Sequence, residues 1–92
     1  MNKVRIIEFE VHAIHRMLQR GTKFGLDYFE TEARTKQIAR RAVKPKSVTG
    51  RRKIYYQYFA DGLSFYVVCR EREFSEITHV CIITVIIQQG RK

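Results

Sequence analysis

The stretch RRKIYYQYFADGLSFYVVCRE, residues 51–71, decides the fold because two alternating runs of strand-forming residues flank the dipeptide Asp61-Gly62. Such a dipeptide between alternating runs is the strongest short-range signal for a β-hairpin. A two-residue turn at this point gives a register in which each cross-strand pair on one face is apolar or nearly so, and this face should form the core. The predicted pairs are Ala60–Leu63, Tyr58–Phe65, Tyr56–Val67 and Ile54–Cys69.

A third strand is predicted in ITHVCIITVII, residues 77–87, which is rich in β-branched residues. The strand is apolar on both faces, as is typical of a central strand, so we expect the short strand KVRIIEF, residues 3–9, to lie beside it. A connection centred on Ser75 extends the core face across the third strand. It also places His79 on the core face, where its ring should be buried and hydrogen-bonded. The predicted pairs are Leu63–Ile87, Phe65–Val85, Val67–Ile83 and Cys69–Cys81.

The opposite face of this sheet is predicted to carry basic and aromatic side chains, with Thr84 opposite Tyr66. Rings and cations on one face can stack RNA bases and hold phosphates, but ordinary cross-strand packing explains such aromatic residues equally well. The residues assigned to this face are Lys53, Tyr55, Gln57, Phe59, Tyr66 and Arg70.

Two helices are predicted before the hairpin. The first runs from about Glu10 to Arg20, and Gly21 is suited to end it. Its predicted buried stripe is Val11, Ile14, Met17 and Leu18. The second runs from about Gly25 to Val43 and is closed by Pro45. Its apolar residues are Leu26, Phe29, Ala33, Ile38, Ala39 and Val43.

These elements predict a single α+β domain over residues 1–92, with the order β-α-α-β-β-β. Two helices pack on one face of a small, mostly antiparallel sheet. Hydrophobic residues make up 45% of the 92 residues, and one residue is proline, which is typical of a folded chain and not of a disordered one.

The net charge of +9 is concentrated in residues 34–53, which hold nine basic residues and no acidic one. The rest of the chain is balanced, so the whole excess belongs to this segment. A basic segment of this kind favours a polyanionic partner, nucleic acid first and an acidic protein next, although it can also be a plain solvated face.

His12, Arg16 and Arg20 recur every fourth residue and therefore lie along one side of the first helix. Metal-independent RNA cleavage needs a proton acceptor for the 2′-hydroxyl and cations for the phosphate. Histidine suits the first task and arginine the second. The alternative for His12 is a solvated position at the start of the helix. His15 could either lie beside His12, Arg16 and Arg20 or border the core.

HAIHRMLQRG, residues 12–21, fits the pattern His-Ala-x-x-Arg-Met-x-x-Arg-Gly, and the last strand contains IITVII with Thr84 embedded in it. Together with the order of elements, these motifs resemble the RelE/ParE-like toxin superfamily. The resemblance is to a small bacterial domain family grouped with the ribonuclease domains of colicin-type and contact-dependent toxins. It implies His12, Arg16, Arg20 and Thr84 as catalytic positions, an acidic antitoxin as partner, and no cofactor.

We therefore expect a toxin-like endoribonuclease of a toxin–antitoxin or related system, which cleaves RNA by 2′-hydroxyl attack without a metal ion. Two alternatives stay open: a non-enzymatic RelE-like module that binds nucleic acid or protein through residues 34–53, and a ParE-like gyrase inhibitor. The residues expected to bind RNA are Arg40, Arg41, Lys44, Lys46, Arg51, Arg52, Lys53, Tyr55, Tyr66 and Arg70.

The start MNKVRIIEFEVHA lacks the apolar run of a signal peptide, and no window suits a membrane helix. Cys69 and Cys81 are therefore expected to be reduced, in a cytoplasmic protein without a membrane partner. These cysteines and His79 lack a zinc-binding spacing, so no metal site is expected.

Overall fold

The computed structural model describes residues 3–41 and 44–91 of the chain. Two helices and five strands follow one another in the order β-α-α-β-β-β-β. The strands are β1 (Val4–Phe9), β2 (Ser47–Thr49), β3 (Arg52–Tyr58), β4 (Leu63–Glu73) and β5 (Ile77–Gln89), and the helices are α1 (Val11–Lys23) and α2 (Tyr28–Arg41). Neither helix of this described part has the length and apolar content that crossing a bilayer requires.

The five strands form one mixed sheet in the order β1-β5-β4-β3-β2, and both helices pack against it. β1 runs parallel to β5, and the other neighbouring strands are antiparallel. The prediction of an α+β fold is confirmed, as are the meander of the last three strands and the place of β1 beside the last strand. The short strand β2, which extends the sheet past β3, was not predicted.

The hairpin between β3 and β4 has a longer loop than predicted, and this changes the register. The N–H of Phe59 donates to the carbonyl oxygen of Leu63 at 2.8 Å, so the loop consists of the residues between them. Gly62 closes the loop at φ 88°, in the left-handed region that favours glycine. Tyr55 therefore pairs with Val67.

The predicted faces of β3 are exchanged as a result, because a shift by one residue turns each side chain over. Lys53 and Tyr55 face the helices, whereas Tyr56 and Ile54 face away from them. The prediction that Lys53 and Tyr55 share a face with Tyr66 is wrong. Gln57 faces the helix layer with them, opposite Phe65.

The register between β4 and β5 also differs from the prediction, because the pairing contains an irregularity between Val68 and Cys69. Val68 pairs with Thr84 and Cys69 with Ile82, so Ile83 is an extra residue on β5, as in a β-bulge. Thr84 does not lie opposite Tyr66, and Cys69 does not lie opposite Cys81.

Cys69 and Cys81 lie on opposite faces of the sheet. Cys69 is fully buried in the core beneath the helices, where burial raises the pKa of its thiol to about 12. Cys81 pairs with Arg70 on the other face. His79 also lies there, and its Nε2 is 2.6 Å from Glu8 Oε1, so the prediction of a buried core histidine is wrong. A site shared by Cys69 and the other two residues is excluded by this geometry.

The buried side of α1 consists of Ala13, Met17 and Gly21, spaced four residues apart. Of the predicted stripe, only Met17 is buried, because the small residues Ala13 and Gly21 allow a closer approach than branched side chains would. Val11, Ile14 and Leu18 are exposed, which corrects the prediction.

Gly21 does not end α1, as predicted, but lies inside it against α2. The helix ends two residues beyond Gly21, and Gly25 follows at φ 79°. The N–H of Gly25 donates to Thr22 and that of Leu26 to Gly21, at 3.0 and 2.9 Å. This pair of bonds is a Schellman motif, which explains where the helix stops.

α2 begins at Tyr28 because Asp27 caps it: Asp27 Oδ1 accepts a hydrogen bond from the N–H of Glu30 at 2.7 Å. The predicted start at Gly25 is therefore three residues early, and the predicted end at Val43 lies outside the described residues. The buried residues of α2 are Thr31, Thr35, Ile38 and Ala39. The predicted apolar residues Phe29 and Ala33 are exposed.

The core lies between the helices and the sheet and is built mostly from β4 and β5. Met17 and Ile38 enter it from the helices. The buried sheet residues of this layer are Tyr55, Leu63, Phe65, Val67, Cys69, Val80, Ile82, Val85 and Ile87.

A buried carboxylate connects the outer parts of this layer. Glu71 on β4 accepts hydrogen bonds from Arg5 at 2.5 Å, from Lys53 at 3.0 Å and from the Tyr55 hydroxyl. Arg5 also donates to the carbonyl oxygen of Ala39 at 2.8 Å. One side chain thus joins β1, β3 and, through Arg5, the last turns of α2. Burial would raise the pKa of Glu71, but the three donors outweigh it and hold that pKa below its usual value.

We expect Glu71→Gln to lower the free energy of unfolding by about 3 kcal/mol, the low end for breaking a buried ion pair, because Arg5 and Lys53 keep some contact with solvent. Since the pKa of Glu71 is lower in the folded chain, its contribution is complete above the ordinary value of 4.5 and is lost as the pH falls through the folded pKa. Urea unfolding between pH 7 and pH 3 therefore should show a smaller acid-dependent loss in Glu71→Gln than in the wild type. Glu30→Gln, which breaks an exposed pair with Arg34, serves as control and should cost under about 1 kcal/mol. Equal acid dependence in the wild type and Glu71→Gln would contradict the argument.

We expect Gly21→Ala to destabilise the protein because α1 and α2 touch at this point. A Cβ at Gly21 would lie 2.1 Å from Thr31 Oγ1, and this hydroxyl is held by a 3.0 Å bond to the carbonyl oxygen of Asp27. Overpacking of this kind costs about 1–3 kcal/mol, whereas alanine gains about 1 kcal/mol over glycine in a helix. Thermal unfolding should show a lower Tm for Gly21→Ala and a partial recovery in Gly21→Ala/Thr31→Ala. If the double variant recovers none of the lost Tm, the contact between Gly21 and Thr31 is not the cause of the destabilisation.

Candidate functional site

His12 and Arg16 form a contact on the outer side of α1. Arg16 Nε donates to His12 Nε2 at 3.4 Å, and the two residues are one helical turn apart. His12 is exposed and Arg16 half-buried. The bond occupies one imidazole nitrogen as an acceptor, which favours the tautomer that carries its proton on Nδ1.

Arg20, one turn further along α1, is bound to β5. Its Nη1 donates to the carbonyl oxygen of Val85 at 2.5 Å and to Thr84 Oγ1 at 3.3 Å. Both acceptors lie beyond the end of β1, whose last residue pairs with Ile82. In the described part of the chain no strand covers that edge of β5 past Ile82, and α1 packs along it.

Thr84 pairs with Val68, whose side chain faces away from the helices. Arg20 therefore contacts Thr84 around the free edge of β5 and not through the core. This route allows His12, Arg16 and Arg20 on the helix to form one site with Thr84, although Thr84 faces away from the helices. The structure brings His12 to Arg16 and Arg20 to Thr84, with Arg16 and Arg20 separated by one helical turn, a rise of about 6 Å.

The four side chains could hold an anion. Thr84 Oγ1 accepts from Arg20, so its own proton is free to be donated. Both guanidinium groups keep further N–H donors. Over residues 3–41 and 44–91, no carboxylate lies within ion-pair distance of Arg16 or Arg20. An anion would therefore reduce the repulsion between the two arginines.

His15 lies on another side of α1, where it borders an apolar groove between the helices. The groove has a volume of about 550 Å³ and is lined by Ile14, His15, Leu18, Gln19 and Tyr28. Sequence reasoning missed this surface because it assigned Ile14 and Leu18 to the core. The spacing of the small residues Ala13 and Gly21 was the available signal for the true buried side.

The predicted RNA-binding residues fall into three places. Arg40, Arg41 and Lys44 belong to the end of α2 and the segment after it, and the last two line a cavity of about 310 Å³ with Tyr55. Lys53 and Tyr55 are occupied by Glu71, and Tyr55 is 4% exposed. We therefore no longer assign these two residues to RNA binding.

The third place is the face of the sheet that the helices leave uncovered. Lys46 Nζ lies 5.1 Å from the ring centre of Tyr56 and 5.9 Å from that of Tyr66. Arg52 lies directly opposite Arg70. Arg51, Arg72 and His79 border the same region. Sequence reasoning missed His79 because its register placed this residue in the core, and it missed Arg72 because the predicted strand ended at Glu71.

The basic segment 34–53 is not one surface. Arg34 is paired with Glu30 and Asp61 at 2.8 and 2.7 Å, and the hydrogen bonds from Arg34 lower the pKa of Asp61. Lys36 lies 3.8 Å from Glu32. Lys53 is bound to Glu71 on the helix side of the sheet. The remaining charges are divided between the end of α2 and the far face of the sheet. A single binding surface formed by the whole segment is excluded by this arrangement.

Among the described residues, no group of three or more His, Cys, Asp or Glu side chains is placed to hold a metal ion. Comparison of the chain with protein-family models, with curated proteins and with solved structures finds no match. The function is therefore argued from the geometry of this chain.

We expect Arg20→Met to lower the free energy of unfolding by about 1.5 kcal/mol, since a hydrogen bond from a charged donor to the Val85 carbonyl is lost. Arg16→Met removes an equal charge from the same helix but no bond to the sheet, so it should change the value by under about 0.5 kcal/mol. Urea unfolding at neutral pH measures both variants. Equal losses in the two variants would show that Arg20 does not hold α1 to the edge of β5.

Proposed function

We propose that this protein is a toxin-like endoribonuclease that cleaves RNA without a metal ion, at the edge formed by His12, Arg16, Arg20 and Thr84. The observation that carries the proposal is the bond from Arg20 to Thr84, because it brings the cationic stripe of α1 to a hydroxyl donor on the sheet. The site is open to solvent at His12, as a polymeric substrate requires.

In the proposed reaction Arg16 turns from His12 to the substrate phosphate, which frees Nε2 of His12. This nitrogen takes the proton from a ribose 2′-hydroxyl, and the 2′ oxygen attacks the adjacent phosphorus. The bond from phosphorus to the 5′ oxygen breaks, and this oxygen takes a proton from solvent. The products are a 2′,3′-cyclic phosphate and a 5′-hydroxyl end, so the step consumes no co-reactant. A histidine suits this task because its unperturbed pKa is near neutrality.

The two arginines and Thr84 would bind the phosphate as negative charge builds up on its oxygens. Arginine binds two oxygens at once and stays charged, and such donors are most effective when they are already held in place. Arg20 is held by Val85, and its bond to Thr84 leaves the threonine proton directed away from the guanidinium. Arg20 thus has two tasks, in the fold and in the site.

The test is cleavage of a labelled single-stranded RNA in a buffer with EDTA. His12→Ala should reduce the rate by about 10²–10⁴-fold, the usual contribution of a general base, with little change in Tm because His12 is exposed. His15→Ala makes the same chemical change on another side of α1 and should keep the wild-type rate. Thr84→Val should slow cleavage while it keeps the shape of the residue.

Retention of cleavage in His12→Ala would remove the assignment of the base. Absence of cleavage by the wild-type protein, with RNA binding retained, would support the second candidate, a nucleic-acid-binding module without turnover. The observation in favour of that candidate is the group of arginines on the uncovered face of the sheet. Products that end in a 3′-hydroxyl would contradict 2′-hydroxyl attack in any case.

We also propose that the protein acts in the cytoplasm and that its partner there is an acidic protein, as toxin–antitoxin pairing requires. The net charge of +9 supports such a partner, and both cysteines are free thiols. Copurification with an acidic protein encoded beside it, lost at high salt, is the expected result. A neighbouring acidic protein that fails to bind would contradict the pairing.

A further inference from the structure

Four arginines lie together on the face of the sheet that the helices do not cover. Arg52 is directly opposite Arg70 on the adjacent strand, and Arg72 follows two residues later on the same face. Arg51 borders the same cavity as Arg70 and Arg72. We call Arg51, Arg52, Arg70 and Arg72 the arginine face.

A cavity opens in this surface. It has a volume of about 360 Å³ and is lined by Arg51, Arg70, Arg72, His79 and Cys81. This is about ten times the volume of a water molecule in the liquid, so a phosphate group with part of its sugar can enter. The cavity is distinct from the His12–Thr84 edge, since none of its lining residues belongs to α1.

The positive charge here is poorly compensated. Arg70 Nη1 lies 3.9 Å from Glu10 Oε2, a long ion pair, and the carboxylate of Glu8 is occupied by His79. Within the described ranges, Arg51, Arg52 and Arg72 form no ion pair. Three guanidinium groups thus remain available to a negative ligand.

The pair formed by Arg52 and Arg70 is itself unfavourable for the fold. Like charges directly opposite each other on neighbouring strands repel and destabilise the sheet. Because the backbone pairing holds both residues at this position, a bound anion is what would relieve the repulsion. A phosphodiester suits best, since its oxygens match the planar guanidinium group.

The surroundings extend the surface in two directions. Lys46 lies over the rings of Tyr56 and Tyr66 on the same face, so a cation and aromatic rings continue it along the strands. Glu10, which contacts Arg70, is the residue that immediately precedes α1. The arginine face therefore ends beside the first turn of α1, where His12 lies.

We propose that the arginine face binds the phosphate backbone of single-stranded RNA. Its guanidinium donors project from a sheet and suit phosphate oxygens. Because phosphate contacts do not read the bases, binding should tolerate many RNA sequences. This binding stands without any cleavage. That the bound strand then passes on to His12 rests on the proposed function.

The experiment measures binding of a labelled uridine oligonucleotide by fluorescence anisotropy at several salt concentrations. All variants carry His12→Ala, so that the result does not depend on cleavage. Arg52→Gln/Arg72→Gln should weaken binding at least tenfold and lower the salt slope by about 1.4, because each phosphate contact on a single strand contributes about 0.7. Lys23→Gln/Lys36→Gln removes the same charge from the two helices and should change the slope by less than half as much.

An equal loss in both pairs would show that binding follows net charge alone and would overturn the proposal. So would unchanged binding in Arg52→Gln/Arg72→Gln. Polyglutamate should compete at least tenfold less well than the oligonucleotide. Equal competition would assign the face to an acidic protein and would also overturn the proposal.

Two further measurements report on the face directly. Cys81 lines the cavity and Cys69 is buried, so bound RNA should slow alkylation of Cys81. An unchanged alkylation rate would show that the RNA binds elsewhere.

Arg52→Gln should raise the Tm because it removes the repulsion with Arg70. A lower Tm would show that these arginines support the fold, contrary to the argument. Loss of cleavage in other experiments leaves all of these outcomes unaffected.

Discussion

The difference in length between β1 and β5 is the constraint on which the rest of the structure depends. β1 has 6 residues and β5 has 13, so the parallel pairing ends at Ile82 and, among residues 3–41 and 44–91, leaves an edge of β5 without a strand partner. Backbone carbonyl groups at such an edge need donors. The N–H of Glu10 supplies one to Ile82 at 3.0 Å, and Arg20 supplies another to Val85. The position of α1, and with it the candidate catalytic edge, follows from this requirement.

In another part of the sheet a buried charge, the carboxylate of Glu71, holds the strands together. Glu71 is 5% exposed, and its donors come from β1 and β3. A carboxylate in this position is stable only while each donor is in place, since an unpaired buried charge is costly. The network therefore links β1 and β3 to β4. The two halves of the molecule thus satisfy their polar groups by different means.

Much of the fold was predictable from local pattern: the hairpin at Asp61-Gly62, the helix over HAIHRMLQRG, the central last strand and β1 beside it. The errors concern which face of a strand and which side of a helix are buried. Gly62 accommodates either a two- or a three-residue loop, so the sequence could not decide which face Tyr55 takes. The buried side of α1 was missed because Val11, Ile14 and Leu18 are more apolar than Ala13 and Gly21, whereas close packing of the helices selected the small residues.

The candidate site was predictable only as a set of residues. The spacing of His12, Arg16 and Arg20 placed them on one side of a helix, but nothing local could indicate that Arg20 binds Val85 across 65 positions. The arginine face depends on pairing between strands as well. Arg52 and Arg70 are 18 positions apart, and they become neighbours only in the register that the longer loop creates.

The extra residue at Ile83 divides β5 into two segments of opposite parity. Before it, the buried positions are the even-numbered Thr78, Val80 and Ile82; after it, they are the odd-numbered Val85 and Ile87. Each half of β5 has one buried face. Because the two halves differ in parity, the sequence of β5 resembles that of a strand with two apolar faces. Deletion of Ile83 would unite the two alternations into one regular strand, and all five of these residues would stay on the core face.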